Sequence, residues 1–197
     1  MTITNCEEAE LFLNGKSLGR KKSDVCAPCE WQVVFEKGTI TARGYIGNEI
    51  VAEDSVETTD TAYAIELEPQ FPDIKNDGAD TVPVNVYAID KHGRRVPTAS
   101  DFIEFELEGD GVILGVGNGN PLCHESDCEP RRSLFAGSCQ VLVQSKENAE
   151  HIKLIAKSEG LKTAEHNFTV EKTELPEYLY NEDCHIINGW TISAETF

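Results

Sequence analysis

The chain has 197 residues, enough for one large domain or two small ones, and its thirty-five acidic against seventeen basic residues leave a formal charge of −18. That balance opposes binding to phosphate backbones and to anionic membrane surfaces, both of which are met mainly by Lys and Arg. No apolar run reaches the roughly 18 residues needed to cross a bilayer, and the opening "MTITNCEEAELFLNG" has neither the basic nor the apolar region of a secretory signal.

Alternation of period two runs from end to end, and no window of helical length shows a 3.6-residue period. In "AELFLNGKSLGRKK" the Asn14-Gly15 pair separates two alternating arms, the strongest short-range hairpin signal, because a type I′ turn needs positive φ at both central residues. "WQVVFEKGTITARGYIGNEIVAEDSVETT" predicts three more strands, broken at Lys37-Gly38 and Gly47-Asn48, with Trp31, Val33 and Phe35 on one core-facing side. Residues 1–61 are therefore expected to form a compact meander of about five strands. A unit of that size buries only about 60% of its unfolded surface, so it is expected to lean on a neighbour.

A second series follows the short polar stretch "TTDTA" at 58–62. "AYAIELEP", "VPVNVYAID", "DFIEFELEG", "GVILGVGN", "RSLFAGSCQVLVQS", "HIKLIAKS" and "AEHNFTVEK" predict seven short strands over 62–171, a sandwich of immunoglobulin type. "DKHG" at 90–93 suits a type I turn, with Asp first and Gly fourth. Residues 172–197 differ in character and are expected either to pack back on the sandwich or to begin another module. The expected class is all-β, with two immunoglobulin-like sandwich domains in tandem.

The most eventful stretch is "GVGNGNPLCHESDCEPRRSLFAG", residues 115–137. Its glycines lack the Lys-Ser/Thr ending and the following helix of a phosphate loop, so they read as a bulge or a close backbone approach at a strand end. Cys26-x-x-Cys29 and the cluster of Cys123, His124 and Cys128 have zinc-like spacing, but tetrahedral zinc needs four ligands and these clusters fall in different predicted domains. Cys6 and Cys139, inside strand patterns, read as small core residues. "DIKNDGAD" at 73–80 fails a calcium loop at Lys75 and Val84 and reads as a solvated turn. Neither a metal nor a cofactor is assigned.

Glu104, Glu106 and Glu108 alternate with Ile103, Phe105 and Leu107. Their spacing overlaps the carboxyl separation of inverting glycosidases, yet a row of like charges along one strand face reads as solvent exposure. No Ser-His-Asp set can be located, and His92, His151 and His166 fall at turns or strand ends and read as solvated. No catalytic residue is assigned.

"NCEEAELFLNGKSLGRKK", with "WQVVFEKGTITARGY" and "ETT", resembles a small β-domain that follows the barrel in bacterial β-galactosidases of glycoside hydrolase family 2. "NDGADTVPVNVYAIDKHGRRVPTASDFIEFELEGDGVILGVGNGNP…HE…RRSLFAGSCQVLVQS" resembles the immunoglobulin-like domain after it; together they span about 5–170. The resemblance implies a parent enzyme that releases β-linked sugars with retention, using two Glu on a (β/α)₈ barrel of about 250 residues. No such barrel fits here, so the chain is expected to be a non-catalytic C-terminal fragment, partnered by the barrel and other domains of its parent in the bacterial periplasm or at the cell surface. The resemblance marks Gly117, Asn118, Gly119, Asn120, His124, Glu125, Arg131 and Arg132 as a family-motif loop, with an Arg pairing nearby carboxylates. Two alternatives stand beside this: an independent carbohydrate-binding module taking β-linked oligosaccharide through Trp190, Tyr178 and Tyr180, and a loop reaching the parent's sugar subsites.

Overall fold

The structure, a computed structural model, describes residues 1–24 and 27–173 together with the backbone of 184–187 and 190–193. Every regular element among them is a strand. The chain divides into two compact units, Met1–Ala62 with Asp90–Val96, and Tyr63–Ile89 with Pro97–Phe197.

The first unit is built on one antiparallel sheet of β1 (Glu8–Leu13), β2 (Lys16–Lys22), β3 (Thr39–Ile46) and β4 (Glu49–Glu57), in the order β2-β1-β3-β4. The predicted hairpin closes at Asn14 and Gly15, with φ of 50° and 79°. Asn14 also ties the sheet together: its Nδ2 donates to the Lys37 carbonyl at 3.0 Å, and its Oδ1 accepts from the Thr39 N–H at 2.9 Å. The register Ala9↔Gly44 and Leu11↔Ala42 places small and apolar residues on one face.

Trp31–Phe35, expected as a fifth strand, forms none. Trp31 finds partners on β2 instead of a backbone ladder. The Trp31 indole N–H donates to the Gly19 carbonyl at 3.1 Å, and the Lys21 ammonium lies 5.3 Å from the ring centroid. Trp31 is consequently only half-buried, and Phe35, expected in the core, is 79% exposed. An open groove of about 580 Å³ is lined by Met1–Thr4, Trp31 and Val33 together with Ala9, Leu11, Ile40, Ala42, Gly44 and Val56 of the sheet.

The second unit holds two four-stranded sheets. One contains β5 (Ala64–Pro69), β7 (Thr81–Ile89), β9 (Gly111–Gly117) and β11 (Ser138–Ser145), ordered β5-β7-β11-β9. The other contains β8 (Phe102–Gly109), β10 (Arg131–Ser133), β12 (Ile152–Lys157) and β13 (Ala164–Asn167), ordered β10-β8-β12-β13. Alternation sends Val82, Val84, Val86, Val141 and Val143 from one sheet, and Ile103, Phe105, Ile152 and Leu154 from the other, into a shared core. Each such side chain contributes about 1.5–3 kcal/mol by leaving water.

Three predicted segments resolve differently. "RSLFAGSCQVLVQS" splits into β10 and β11, which belong to opposite sheets, across a turn in which Ala136 and Gly137 have positive φ. "AEHNFTVEK" splits at Phe168, a buried residue whose N–H donates to the Ile152 carbonyl, into β13 and β14 (Thr169–Glu171). "DIK", read as part of a solvated turn, is strand β6 (Asp73–Lys75), parallel to β14, because Ile74 is fully buried opposite Val170. Beyond these, β15 (Cys184–Ile187) and β16 (Trp190–Ser193) pair antiparallel.

Candidate functional site

The connection from β9 to β10, residues 118–130, carries most of the residues marked by the sequence. Its first half is shaped by side chains that bond the backbone two residues on, the habit of Asn in turns. Asn118 Oδ1 accepts from the Asn120 N–H at 3.0 Å, and Asn120 Oδ1 accepts from the Leu122 N–H at 3.0 Å. Asn118 Nδ2 then donates to the Ser133 carbonyl at 2.8 Å, pinning the start of the loop to its end.

Beneath the loop β9 is bulged: Leu142 faces Gly115 whereas Val143 faces Ile113, leaving Leu114 without an opposite. The Val116 N–H donates to the Asp127 carbonyl at 2.9 Å, and a Cβ on Gly115 would stand 3.1 Å from that oxygen. The bulge and the close backbone approach expected of these glycines are both present.

Arg132 organises the second half. The ladder sets it opposite Ile103, so its side chain starts on the core face and is only 2% exposed. Nη2 donates to the Val116 carbonyl at 2.9 Å and pairs with the Asp127 carboxylate. Nη1 contacts Cys123 Sγ at 3.1 Å and the Glu125 carbonyl at 3.4 Å, while Nε lies 4.0 Å from Glu125 Oε2 without a hydrogen bond. Glu125 in turn accepts from both the hydroxyl and the N–H of Ser133. Those Ser133 bonds, with Arg132 beside them, hold the Glu125 carboxyl below its ordinary range against the opposing effect of burial. Cys139 is buried nearby, and burial pushes its thiol up to about 12. The arrangement fastens a long loop to two strands, and its charges face one another.

The marked residues therefore separate. Asn118, Asn120, Glu125 and Arg132 share this network; Gly117 and Gly119 border it; His124 is exposed. Arg131 points outward and pairs with Glu129. Asp127, Ser133 and Cys123 also belong to the network, and sequence reading missed their part. The backbone of Trp190 pairs with Ile187, whereas Tyr178 and Tyr180 lie outside the described residues.

Elsewhere Glu104, Glu106 and Glu108 are exposed, with Glu106 2.6 Å from Lys157 Nζ. His166, read as solvated, is half-buried, its Nε2 enclosed without a hydrogen-bond partner and its ring edge-on to Phe168 at 4.8 Å. Among the described residues, Cys6, Cys29, Cys123, Cys128 and Cys139 are free thiols, and no three His, Cys, Asp or Glu side chains converge as metal ligands. No helix among them is long and apolar enough to cross a membrane.

Residues 65–167 match the family model described as glycoside hydrolase family 2 C-terminal domain 5, and residues 1–52 match one described as a domain of unknown function, DUF4982. The chain is 36% identical over 159 residues to β-galactosidase BoGH2A of Bacteroides ovatus, covering 80% of this chain and 19% of that protein. It is 30% identical over 145 residues to a putative β-glucuronidase of Formosa agariphila, covering 72% of this chain and 14% of that protein. The crystal structure of a glycosyl hydrolase family 2 member from Bacteroides cellulosilyticus superposes with a TM-score of 0.81 at 32% identity, covering 84% of this chain and 23% of that one. The chain thus spans a fifth or less of the length of these two curated relatives. With the matched domain laid over the sandwich that carries the Arg132 network, the chain belongs to glycoside hydrolase family 2, residues 65–167 being its C-terminal domain 5.

Proposed function

We propose that this chain is a non-catalytic, accessory part of a bacterial family 2 β-glycosidase, in first place a β-galactosidase, and that it supports a catalytic barrel lying outside these residues. The acid/base and nucleophile carboxylates belong to that barrel, and none is assigned here. A periplasmic or cell-surface location belongs to the same proposal.

The observation that carries this reading is the uncovered apolar face of the first unit. Ile3 is 81% exposed, Val56 70% and Ile40 39%, all around the groove of about 580 Å³. Apolar surface of that kind marks a place where another body docks. The names of the relatives, a β-galactosidase and a putative β-glucuronidase, support a β-glycosidase as the whole.

The test uses the full-length enzyme. Ile40→Asp with Val56→Asp is expected to lower the melting temperature and to remove hydrolysis of nitrophenyl β-galactoside in step with it. Unchanged melting would overturn the supporting role. Faster turnover of nitrophenyl β-glucuronide by the unmodified enzyme would replace the galactoside with the glucuronide.

A further inference from the structure

The outer face of the sheet β5-β7-β11-β9 carries a polar hollow. Because side chains alternate along a strand, the residues between the buried valines of β7 point away from the core: Asn85 lies between Val84 and Val86, and Tyr87 between Val86 and Ala88. On β11, Ser138 and Gln140 flank buried Cys139 in the same way. The register joins them into two rows, Asn85–Gln140–Gly117 across three strands and Tyr87–Ser138 beside it.

Gly117 ends the first row with no side chain, and a Cβ placed there would meet nothing within 4 Å. The result is a hollow of about 340 Å³, lined by Asn85, Tyr87, Asn118, Ser138 and Gln140 with Gly117, Gly119 and Cys139. That volume lies near the lower end of small-molecule sites, about 300–1,000 Å³. None of these residues is charged, in a chain with fifty-two charged residues.

Gln140 Nε2 donates to Asn85 Oδ1 at 2.9 Å, which fixes the two amides side by side. The bond leaves the Asn85 amino group as a donor and the Gln140 carbonyl as an acceptor, next to the Ser138 hydroxyl. A donor and an acceptor held in parallel match two adjacent hydroxyls, each of which both donates and accepts. Across β7, Glu66 and Glu68 stand opposite Tyr87 and Asn85 and do not line the hollow.

We propose that this hollow binds a neutral sugar unit of an oligosaccharide through vicinal hydroxyls. The site is separate from the groove of the first unit and does not depend on the supporting role.

The experiment titrates the 197-residue chain, labelled with ¹⁵N, with lactose, cellobiose and glucuronic acid, following the side-chain amide signals of Asn85 and Gln140. Saturable shifts at millimolar lactose or cellobiose are expected, with glucuronic acid at least about tenfold weaker, a difference of about 1.4 kcal/mol. Gln140→Ala should weaken binding by about tenfold or more. Gly117→Leu, which fills the open space, should abolish it while the rest of the spectrum is preserved. No saturable shift with either disaccharide would overturn the site, as would full binding by a folded Gly117→Leu chain. Equal binding of glucuronic acid would overturn the neutral-ligand assignment. None of these outcomes bears on the melting test of the full-length enzyme.

Discussion

Arg132 donates through Nη2 to the Val116 carbonyl at 2.9 Å, a bond from β10 in one sheet of the sandwich to β9 in the other. It brings a positive charge to the edge of an apolar core, where Asp127 and Glu125 balance it. The adjacent Arg131 lies on the opposite side of the same short strand, with Glu129 as its partner.

Replacing these two arginines should therefore have unequal effects. Arg132→Ala leaves two carbonyls, a thiol and the Asp127 carboxylate without their common donor, and removes the positive charge beside Glu125. Breaking a buried ion pair costs about 3–5 kcal/mol, and the exposure of Asp127 moves the expected loss to about 2–3 kcal/mol. Arg132→Lys recovers only part, because an ammonium cannot serve so many acceptors in a plane. Arg131→Ala should fall within about 0.5 kcal/mol of the parent. Denaturant midpoints of the three variants decide this, and equal losses at 131 and 132 would overturn it.

That asymmetry was partly legible beforehand. In "RRSLF", Leu134 must face the core, and the residue two before it shares its face, so Arg132 was the arginine at a core position. Its acceptors were not legible, since Asp127 and the Val116 carbonyl are brought to it by a bulge whose offset no alternation encodes. The hairpin at Asn14-Gly15 was readable because two successive positive φ values select their residues locally. Trp31–Phe35 misled because an alternating segment can cover a sheet with its side chains without joining its ladder. The split of 131–145 between two sheets was hidden for a related reason: "FAG" turns the chain through conformations that leave no mark on hydrophobic period.

The packing of Asn14 against Gly38 gives a second test. A Cβ at Gly38 would stand 1.7 Å from Asn14 Oδ1, and the φ of 137° is itself unsuited to other residues. Gly15 has positive φ but open space around it. Gly15→Ala should thus cost about 1 kcal/mol from strain alone. Gly38→Ala should cost clearly more, because Asn14 must also release the Lys37 carbonyl and the Thr39 N–H. Thermal melting of both variants orders them, and a smaller loss at 38 than at 15 would contradict the packing.

Thiol chemistry supplies a third. Burial pushes the Cys139 thiol up to about 12 from an ordinary value of 9.0, so the folded chain keeps its proton where the unfolded chain has released it. Above about pH 9 the unfolded state holds fewer protons, and stability falls as pH rises toward 12. At pH 8 iodoacetamide should label exposed Cys128 rapidly and leave Cys139 unmodified until the chain unfolds. Labelling of Cys139 at the rate of Cys128 in the folded chain would refute this.

His166 sets the expected behaviour on the acidic side. Burial lowers the pKa of its imidazole from 6.5, and its Nε2 is enclosed without a partner. The unfolded chain therefore binds a proton near pH 6.5 that the folded chain still refuses, and stability decreases as pH falls from there toward the folded pKa. Carboxylates add to the fall only lower down, since hydrogen bonds hold Asp77, Asp110 and Glu125 below their ordinary values. Melting should accordingly drop between pH 7.5 and 5.5 in the parent chain. His166→Phe removes the titrating group while keeping an aromatic ring beside Phe168, so its melting should be level across that interval. An equal slope in the variant would place the titration elsewhere and overturn the assignment to His166.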